Sequence, residues 1–468
     1  MRKNQYPTEV LDVEVTHLNH KGYGVARYVH APDRGSNGRG LNLLIFNTVP
    51  GDKVRVSVEN AKGRRKAHVY YDELLEPSPK RNLAVENSVA NSGGTPLLFM
   101  KYEDQLTFKE HLIKKEFKKH DLDLADKMRP IIGMDDPWRY RNKMELTFGK
   151  DGALGMHEIG NYKKVIDLED SYIAPEILVA IKKVVSTWQQ DHHLSSYDKD
   201  ARQGLLKNLM MRYSHASQEV MVVLVANGRL DDYQTVAQDL VNRLTQAFPK
   251  IQSIIWLEKP AMYGQAQEEW PRLIYGRDYI NDSLNGYHYQ LKYNTFFQAS
   301  SRQAERMVAC AIDLAEVNDQ MRVVDLFCGI GTFSLPFAAK VKELVGIEIV
   351  EASIQSSRGN ACEAGLTNTS FRVGDAYEGL EQLKAEWPTC DLLILNPPRG
   401  GGGRKLVKSI ARFGAERMVY ISCNPVTLAE DLKWFAEQGY QVQTIQPIDQ
   451  FPHTLHVECV VLMQKVKE

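Results

Sequence analysis

The amino-acid sequence predicts an α/β protein whose C-terminal part is a doubly wound sheet of seven strands, preceded by a small N-terminal β-barrel and a mixed α+β central segment. Three observations carry this reading. From residue 291 onward, short apolar strands alternate with helical stretches, the pattern of a parallel sheet with right-handed crossovers. From Glu9 to about Leu75, alternating apolar segments are separated by turns rich in Gly, Pro and Asn, as in a small barrel. A length of 468 residues exceeds one ordinary core and calls for two or three domains.

The barrel strands are read in LDVEVTHL, YGVARYV, LNLLIF and KVRVSV, with Pro50-Gly51-Asp52 as a turn between two of them. The stretch Glu76-Pro77-Ser78-Pro79 closes the module, so the expected domains are 1–78, 79–290 and 291–468. Barrels of this size bind oligonucleotides across one face or serve as structural caps. Lys62, Arg64, Arg65 and Lys66 form a basic block on this one.

The central segment opens with a helix around residues 103 to 119. Leu106, Ile113 and Phe117 recur there at helical spacing, opposite Lys109, Lys114, Lys115, Lys118 and Lys119. Glu219 to Val225 reads as a buried strand. In WRYRNKMELTFG, residues 138 to 149, Arg139, Arg141 and Lys143 alternate with Trp138 and Tyr140. Such a mix suits base stacking and phosphate binding, and a half-buried edge strand looks similar.

The strands of the last third are read in RVVDLF, ELVGIEI, SFRVGD, CDLLILN, RMVYISC, YQVQTIQ and HVECVVLM. The short connection between the last two predicts an antiparallel hairpin at the sheet edge. Seven strands ending in such a hairpin make the architecture of a Rossmann-like methyltransferase.

Composition narrows the function. A hydrophobic share of 43% and a charged share of 25% are those of an ordinary globular protein. The opening MRKNQYPTEV lacks a signal-peptide core, and no apolar run approaches a membrane span, so a cytoplasmic protein with no membrane partner is expected. The six cysteines include no CxxC pair, which speaks against a disulfide framework or a zinc ribbon. A net charge of −1 leaves any nucleic-acid surface to local clusters of basic residues.

The segment DLFCGIGT, residues 325 to 332, ends the first of these strands as DxFxGxG, with glycines that let a ligand approach the backbone. Asp325 there suits a cationic amino-acid ligand better than a pyrophosphate. Glu348 closes the second strand, placed to accept from ribose hydroxyls. Asp375 ends the third, within reach of an adenine edge, and Asn396 ends the fourth in NPPR. Singly, such residues are most often turn or cap residues; at four successive strand ends they read as a site for S-adenosylmethionine.

Asn-Pro-Pro followed by an aromatic residue marks methyltransferases acting on exocyclic amines, but here Arg399 takes the aromatic's place. The next strand ends in Ile421-Ser422-Cys423-Asn424-Pro425, and Thr427 with Glu430 forms a capping box for the following helix. Cys423 is thus presented near a helix start, where thiolate character rises. Cys310, Cys328, Cys362, Cys390 and Cys459 read as packing residues. Glu458, preceded by Phe451, His453 and His456, introduces the last apolar strand and reads as a carboxylate held in a site.

A thiol and a carboxylate on neighbouring strand ends, facing a methyl donor, match one chemistry. Uracil C5 is a weak nucleophile until a thiolate adds to C6, and a base must afterwards remove the C5 proton. The target nucleotide must be flipped out of its stack. Cys423 and Glu458 supply nucleophile and base.

DLFCGIGTF, LNPPRGG, YISCNP and FPHTLHVE, in this order and spacing, resemble the RNA uracil-5-methyltransferase family. NTFFQAS and YRNKMELTF are also similar to segments of that family, and the N-terminal barrel resembles a TRAM domain. The resemblance implies methyl-donor contacts at Gln298, Phe327, Thr332, Glu348, Asp375 and Asn396, the nucleophile at Cys423 and the base at Glu458. Several members carry Asp where this chain has Asn396, and Asn where it has Thr332. Many relatives hold an iron–sulfur cluster through CxxxxxCGGC and a fourth cysteine; here the stretch reads ENSVANSGGT, with Ser92 and Thr95 in ligand places and Ser171 at the fourth. Hydroxyls are not cluster ligands, so no cluster is expected. The TRAM-like module implies ribosomal rather than transfer RNA as substrate, and a monomer is expected. The rival readings are methylation of another RNA atom and an inactive RNA-binding factor on the same scaffold.

Overall fold

A computed structural model of the chain describes residues 7–29, 40–61, 64–85, 94–260 and 268–466. Lys62 and Ser92 lie outside them. Contacts gather the chain into two compact units: Met1–Thr107 with Ala153–Asp170 and Pro452–Leu455, and Phe108–Gly152 with Ser171–Phe451 and His456–Glu468.

The first unit contains β1 (Thr8–Glu14), β2 (His17–Leu18), β3 (Gly24–Val29), β4 (Gly40–Ile45), β5 (Lys53–Glu59), β6 (Lys66–Val69) and β7 (Glu73–Glu76). They form one sheet in the order β1-β5-β7 and another in the order β2-β3-β4-β6. The pairs are antiparallel except β4 with β6, which run parallel. Alternate residues Leu41, Leu43, Ile45 and Val54, Val56, Val58 fill the core between them, as the period of two requires. The turn residue Asp52 is fully buried, accepting from the backbone of Val49 and Ser78 and pairing with Arg81 at 2.8 Å. The Pro77–Pro79 stretch is therefore pinned to the turn.

α1 (Tyr102–Lys119) corrects one expectation. Its buried stripe runs through Gln105, Lys109, Ile113 and Phe117 at strict i+4 spacing, so Lys109 faces inward while Lys114, Lys115, Lys118 and Lys119 are exposed. The buried Lys109 ammonium pairs with Asp449 at 2.6 Å and donates to the Phe451 carbonyl at 2.9 Å. Next come β8 (Lys143–Phe148), the hairpin β9 (Leu154–Glu158) and β10 (Asn161–Asp167) of the first unit, α2 (Glu176–Asp191), β11 (Leu206–Tyr213), β12 (Val220–Ala226), α3 (Gln234–Ala247), β13 (Ile251–Glu258) and β14 (Trp270–Gly276). In the second unit β8, β11, β12, β13 and β14 are neighbours in that order. β12 is buried along its whole length, as the apolar run predicts.

A hairpin of β15 (Tyr279–Leu284) and β16 (Tyr287–Lys292) leads to α4 (Ser301–Ala315). The remaining elements are β17 (Arg322–Leu326), α5 (Ser334–Ala338), β18 (Glu343–Glu348), α6 (Glu351–Glu363), β19 (Thr369–Val373), α7 (Ala376–Leu383), β20 (Leu392–Leu395), α8 (Gly403–Phe413), β21 (Arg417–Ser422), α9 (Pro425–Glu437), β22 (Tyr440–Ile448) and β23 (Glu458–Lys465). The strand order is β19-β18-β17-β20-β21-β23-β22. All neighbours are parallel except β23, which is antiparallel to both of its own. The doubly wound seven-stranded sheet and its terminal hairpin are thus as the sequence predicts. The order reverses between β17 and β20, where open α/β sheets bind ligands beyond the strands' carboxyl ends.

Candidate active site

Phe327, Glu348, Asp375, Asn396, Cys423 and Glu458 lie at or just beyond that carboxyl edge. Across β18, β17 and β20 the register pairs Leu326 with Ile347 and with Leu395, so Glu348, Phe327 and Asn396 are next in line on adjacent strands. The turn after β17 needs unusual backbone: Phe327 sits at φ 63°, Gly329 at 55° and Gly331 at 90°. A non-glycine residue in this region is costly and is typically kept at a functional turn. Thr332 follows within the same turn, half-buried. Glu348 closes the loop from the other side, accepting from the Gly329 amide at 3.3 Å and the Val350 amide at 3.0 Å.

Asp325 is buried, and one carboxylate oxygen takes the Ser334 hydroxyl while the other, Oδ1, has no partner. Burial pushes its pKa up to about 7. The space a Cβ on Gly329 would occupy is open. An orphaned acceptor beneath an open glycine turn fits a ligand carrying positive charge and donors, as the amino-acid end of S-adenosylmethionine does. Asp375 also caps α7, its Oδ1 accepting from the amides of Tyr377 and Glu378. Gln298 is buried before α4; its carbonyl accepts from Asn142 at 2.6 Å, and its side chain meets Gln450 at 3.5 Å.

At the other end of the edge, β21 pairs with β23 through Ser422 and Cys459. Cys423 directly follows Ser422 and Glu458 directly precedes Cys459, so the thiol and the carboxylate come to the same end of this strand pair. Glu458 is only 4% exposed, and burial alone pushes its carboxyl pKa up to about 8. Burial also raises the Cys423 thiol, and the Glu458 charge raises it further, while the Arg399 guanidinium pulls it down.

Arg399 is carried there by its own backbone. Its carbonyl accepts from Asn424 Nδ2 at 3.1 Å and Thr427 Oγ1 at 3.2 Å, joining the turn after β20 to the turn that bears Cys423. The same bonds correct the expected capping box: Asn424 caps α9 through the Val426 amide because Pro425 starts the helix at its first position, which places Thr427 inside it. His456 is half-buried, and burial together with Arg399 and Lys109 lowers it to about 4, leaving a neutral imidazole.

The remaining cysteines separate as expected with one exception. Cys328, Cys390 and Cys459 are buried and Cys310 is half-buried, but Cys362 is exposed on α6, so it is not core filling. In the WRYRNKMELTFG tract, Arg139 donates to the carbonyls of Ser171 and Ala174, Arg141 to that of Lys143, and Tyr140 is buried. These bonds tie the tract to residues 171–174 and to its own backbone at Lys143. Among the described residues no group of three or more His, Cys, Asp or Glu could hold a metal, and no helix is long and apolar enough to cross a membrane. Arg399 and His456 are given no role by the sequence; the fold brings Arg399 close enough to act on the Cys423 thiol and on the His456 ring.

The chain is similar over its whole length to known proteins. An uncharacterized RNA methyltransferase of Halalkalibacterium halodurans is 30% identical over 99% of each chain, and one of Lactiplantibacillus plantarum is 31% identical over 98% of this chain and 97% of its own. Among solved structures, the tRNA (uracil-54, C5)-methyltransferase of Pyrococcus abyssi in complex with S-adenosyl-L-homocysteine superposes with a TM-score of 0.69 at 24% identity, covering 97% of this chain and 100% of that one. The sequence profile of the tRNA (uracil-5-)-methyltransferases matches residues 101–466, and with these RNA methyltransferase relatives it shows that the chain belongs to that family.

Proposed function

We propose that this protein methylates C5 of a uridine in ribosomal RNA through a covalent bond between Cys423 and uracil C6. The observation that carries this reading is that Cys423 and Glu458, next to the partnered Ser422 and Cys459, come together at the sheet's carboxyl edge. S-adenosylmethionine, when bound, supplies the methyl group that C5 takes, and Gln298, Phe327, Thr332, Glu348, Asp375 and Asn396 are the residues that hold it.

The Cys423 thiol must first lose its proton to solvent, which the Arg399 guanidinium favours. The thiolate then adds to C6, and the displaced electron pair makes C5 nucleophilic. After methylation C5 still carries its hydrogen. Glu458 takes that proton, and the C6–sulfur bond breaks with its electrons returning to Cys423. A carboxylate whose pKa is pushed up to about 8 is a stronger base than an exposed one, so the burial that opposes ionisation also prepares the group for this step.

An iron–sulfur cluster does not fit the residues present. Ser171 is buried and its hydroxyl accepts from the Ile173 and Ala174 amides, and hydroxyls do not ligate such clusters. Protein purified without oxygen should be colourless and free of iron and labile sulfide. Stoichiometric iron would overturn this.

The ribosomal assignment rests on the TRAM-like barrel. Transfer RNA is the second reading, favoured by the Pyrococcus abyssi enzyme, which is named for transfer RNA and covers 97% of this chain, barrel included. Mass spectrometry of nucleosides from the two RNA classes of a cytoplasmic extract, with and without the gene, separates them. Loss of 5-methyluridine from ribosomal RNA alone supports the first reading. Loss from transfer RNA alone supports the second, and loss from neither removes both.

A further inference from the structure

On the central sheet of the second unit there is a cavity of about 610 Å³, a volume in the range of small-molecule sites. Its floor is one register row across four strands: Thr147 of β8, Asn208 of β11, Val225 of β12 and Leu257 of β13. Above this floor stand Lys143, Lys199, Arg202, Lys207 and Lys259, with Tyr197 and Tyr293 among them. The acidic residues of the lining are Glu145 and Glu269, and Glu269 is already paired with Lys259. Lys143, Lys199 and Lys207 have no carboxylate within ion-pair distance among the described residues. The Lys207 ammonium lies 4.3 Å from the centre of the Tyr197 ring.

Like charges gathered in a half-buried hollow repel one another and lose hydration. Burial lowers the Lys143 and Lys207 ammonium groups from their ordinary value, and the neighbouring Lys259 and Lys199 lower Lys207 further. An anion placed among them relieves both costs. The polar part of the floor, Thr147 and Asn208, adds donors and acceptors of the kind that read a base edge.

The cavity is also joined to the candidate active site through the chain. Lys143 directly follows Asn142, whose side chain holds the Gln298 carbonyl at 2.6 Å. Arg212, opposite Lys143 in the register, donates to the carbonyls of Tyr293 and Thr295, and Tyr293 and Asn294 line the hollow. The chain that leads into the methyl-donor site is therefore the wall of the basic cavity.

We propose that this cavity is a second nucleotide pocket, which takes a phosphate and base of the single-stranded RNA flanking the target uridine. The proposal rests on the reading of the protein as acting on RNA. A target base extruded into the catalytic site leaves its neighbours unstacked. Cationic grooves with aromatic side chains are the general means of holding such nucleotides.

The test uses the full-length protein with Lys143→Gln/Lys207→Gln, and Lys199→Gln on the exposed wall as a milder second variant. The probes are a labelled oligouridine of about twelve nucleotides, long enough for a single-strand site, and uridine monophosphate. The double variant should bind oligouridine at least about tenfold more weakly, and the dependence of log Kd on log salt should flatten by about 0.7 for each phosphate that is no longer neutralised. Lys199→Gln should move both in the same direction, and it decides the matter if the double variant melts early. S-adenosylmethionine affinity should stay as in the unmodified protein. Unchanged oligouridine affinity and salt slope would overturn the proposal. Loss of uridine monophosphate binding with oligouridine binding retained would do so too, assigning the cavity to a free nucleotide. Oligouridine binding needs no turnover, so a failure of the C5-methylation reading shows separately, as absence of 5-methyluridine with the unmodified enzyme.

Discussion

Cys423 and Glu458 flank the last partnered residues of β21 and β23, Ser422 and Cys459, and lie near enough for the Glu458 charge to act on the thiol. β23 enters the sheet antiparallel, so its first residue meets the last residues of a parallel strand. A parallel strand in that place would carry Glu458 to the far edge. The antiparallel final hairpin is thus what brings a carboxylate to the thiol, and the charge on that carboxylate then raises the thiol's hold on its proton.

The buried carboxyl makes stability depend on pH in a defined direction. Burial raises Glu458 from 4.5 to about 8, so the folded protein holds this proton more tightly than the unfolded chain. The stabilisation is fully present below about pH 4.5 and is lost as pH rises through about 8, amounting to roughly 3–5 kcal/mol as an upper bound. Glu458→Gln, which cannot ionise, should melt above the unmodified protein at pH 9 and nearly with it at pH 5. Melting curves at the two values check this, and parallel shifts at both would contradict it. Asp325, raised to about 7, adds a loss of the same sign in both proteins.

Lys109 and Asp449 form a buried pair with 0% exposure on both sides. Lys109→Met should leave the Asp449 carboxylate buried without its cation and cost about 3–5 kcal/mol. Lys109→Met/Asp449→Asn should recover part of that loss, because no charge then remains in the core. Urea unfolding of the single and double variants measures the coupling. Purely additive losses would mean that the pair is not a unit.

What the sequence made legible was periodic. The strands of the C-terminal sheet, the apolar β12 and the closing hairpin follow from runs and alternations read locally. The motifs at the strand ends, DLFCGIGT, NPPR and ISCNP, come together along one edge of the sheet. What stayed hidden depends on partners distant in sequence: Lys109 lies on a lysine-rich helix, and only a carboxylate 340 residues away turns it inward. Arg139 donates to the carbonyls of Ser171 and Ala174, more than thirty residues further along the chain, which no local pattern shows. Asn424 outcompetes Thr427 as a cap because Pro425 fixes where the helix begins.

The barrel's basic block should act through charge alone. Arg64, Arg65 and Lys66 are exposed, and reversing all three to Glu should weaken RNA binding and flatten its salt dependence while leaving S-adenosylmethionine affinity intact. Deleting residues 1–75 is the poorer experiment, because it strips Asp52 from the buried Arg81 guanidinium and confounds binding with folding. Filter binding across a salt series is the measurement. An unchanged slope would make the barrel a structural cap.

The two catalytic assignments predict different failures. In Cys423→Ala no bond to C6 can form, so the protein should bind RNA and never become linked to it. In Glu458→Gln the thiolate still adds and the methyl group still transfers, but the C5 proton has no acceptor and elimination stalls. A methylated protein–RNA adduct should then accumulate and survive denaturing electrophoresis. The double substitution should show none. RNA carrying 5-fluorouridine should trap the unmodified enzyme in the same way, since fluorine cannot depart as a cation. Normal turnover by Glu458→Gln, or an adduct with Cys423→Ala, would mean that the thiol and the carboxylate do not hold the roles their register suggests. Methylation of another RNA atom, or an inactive binding factor, would then be the better account of the same fold.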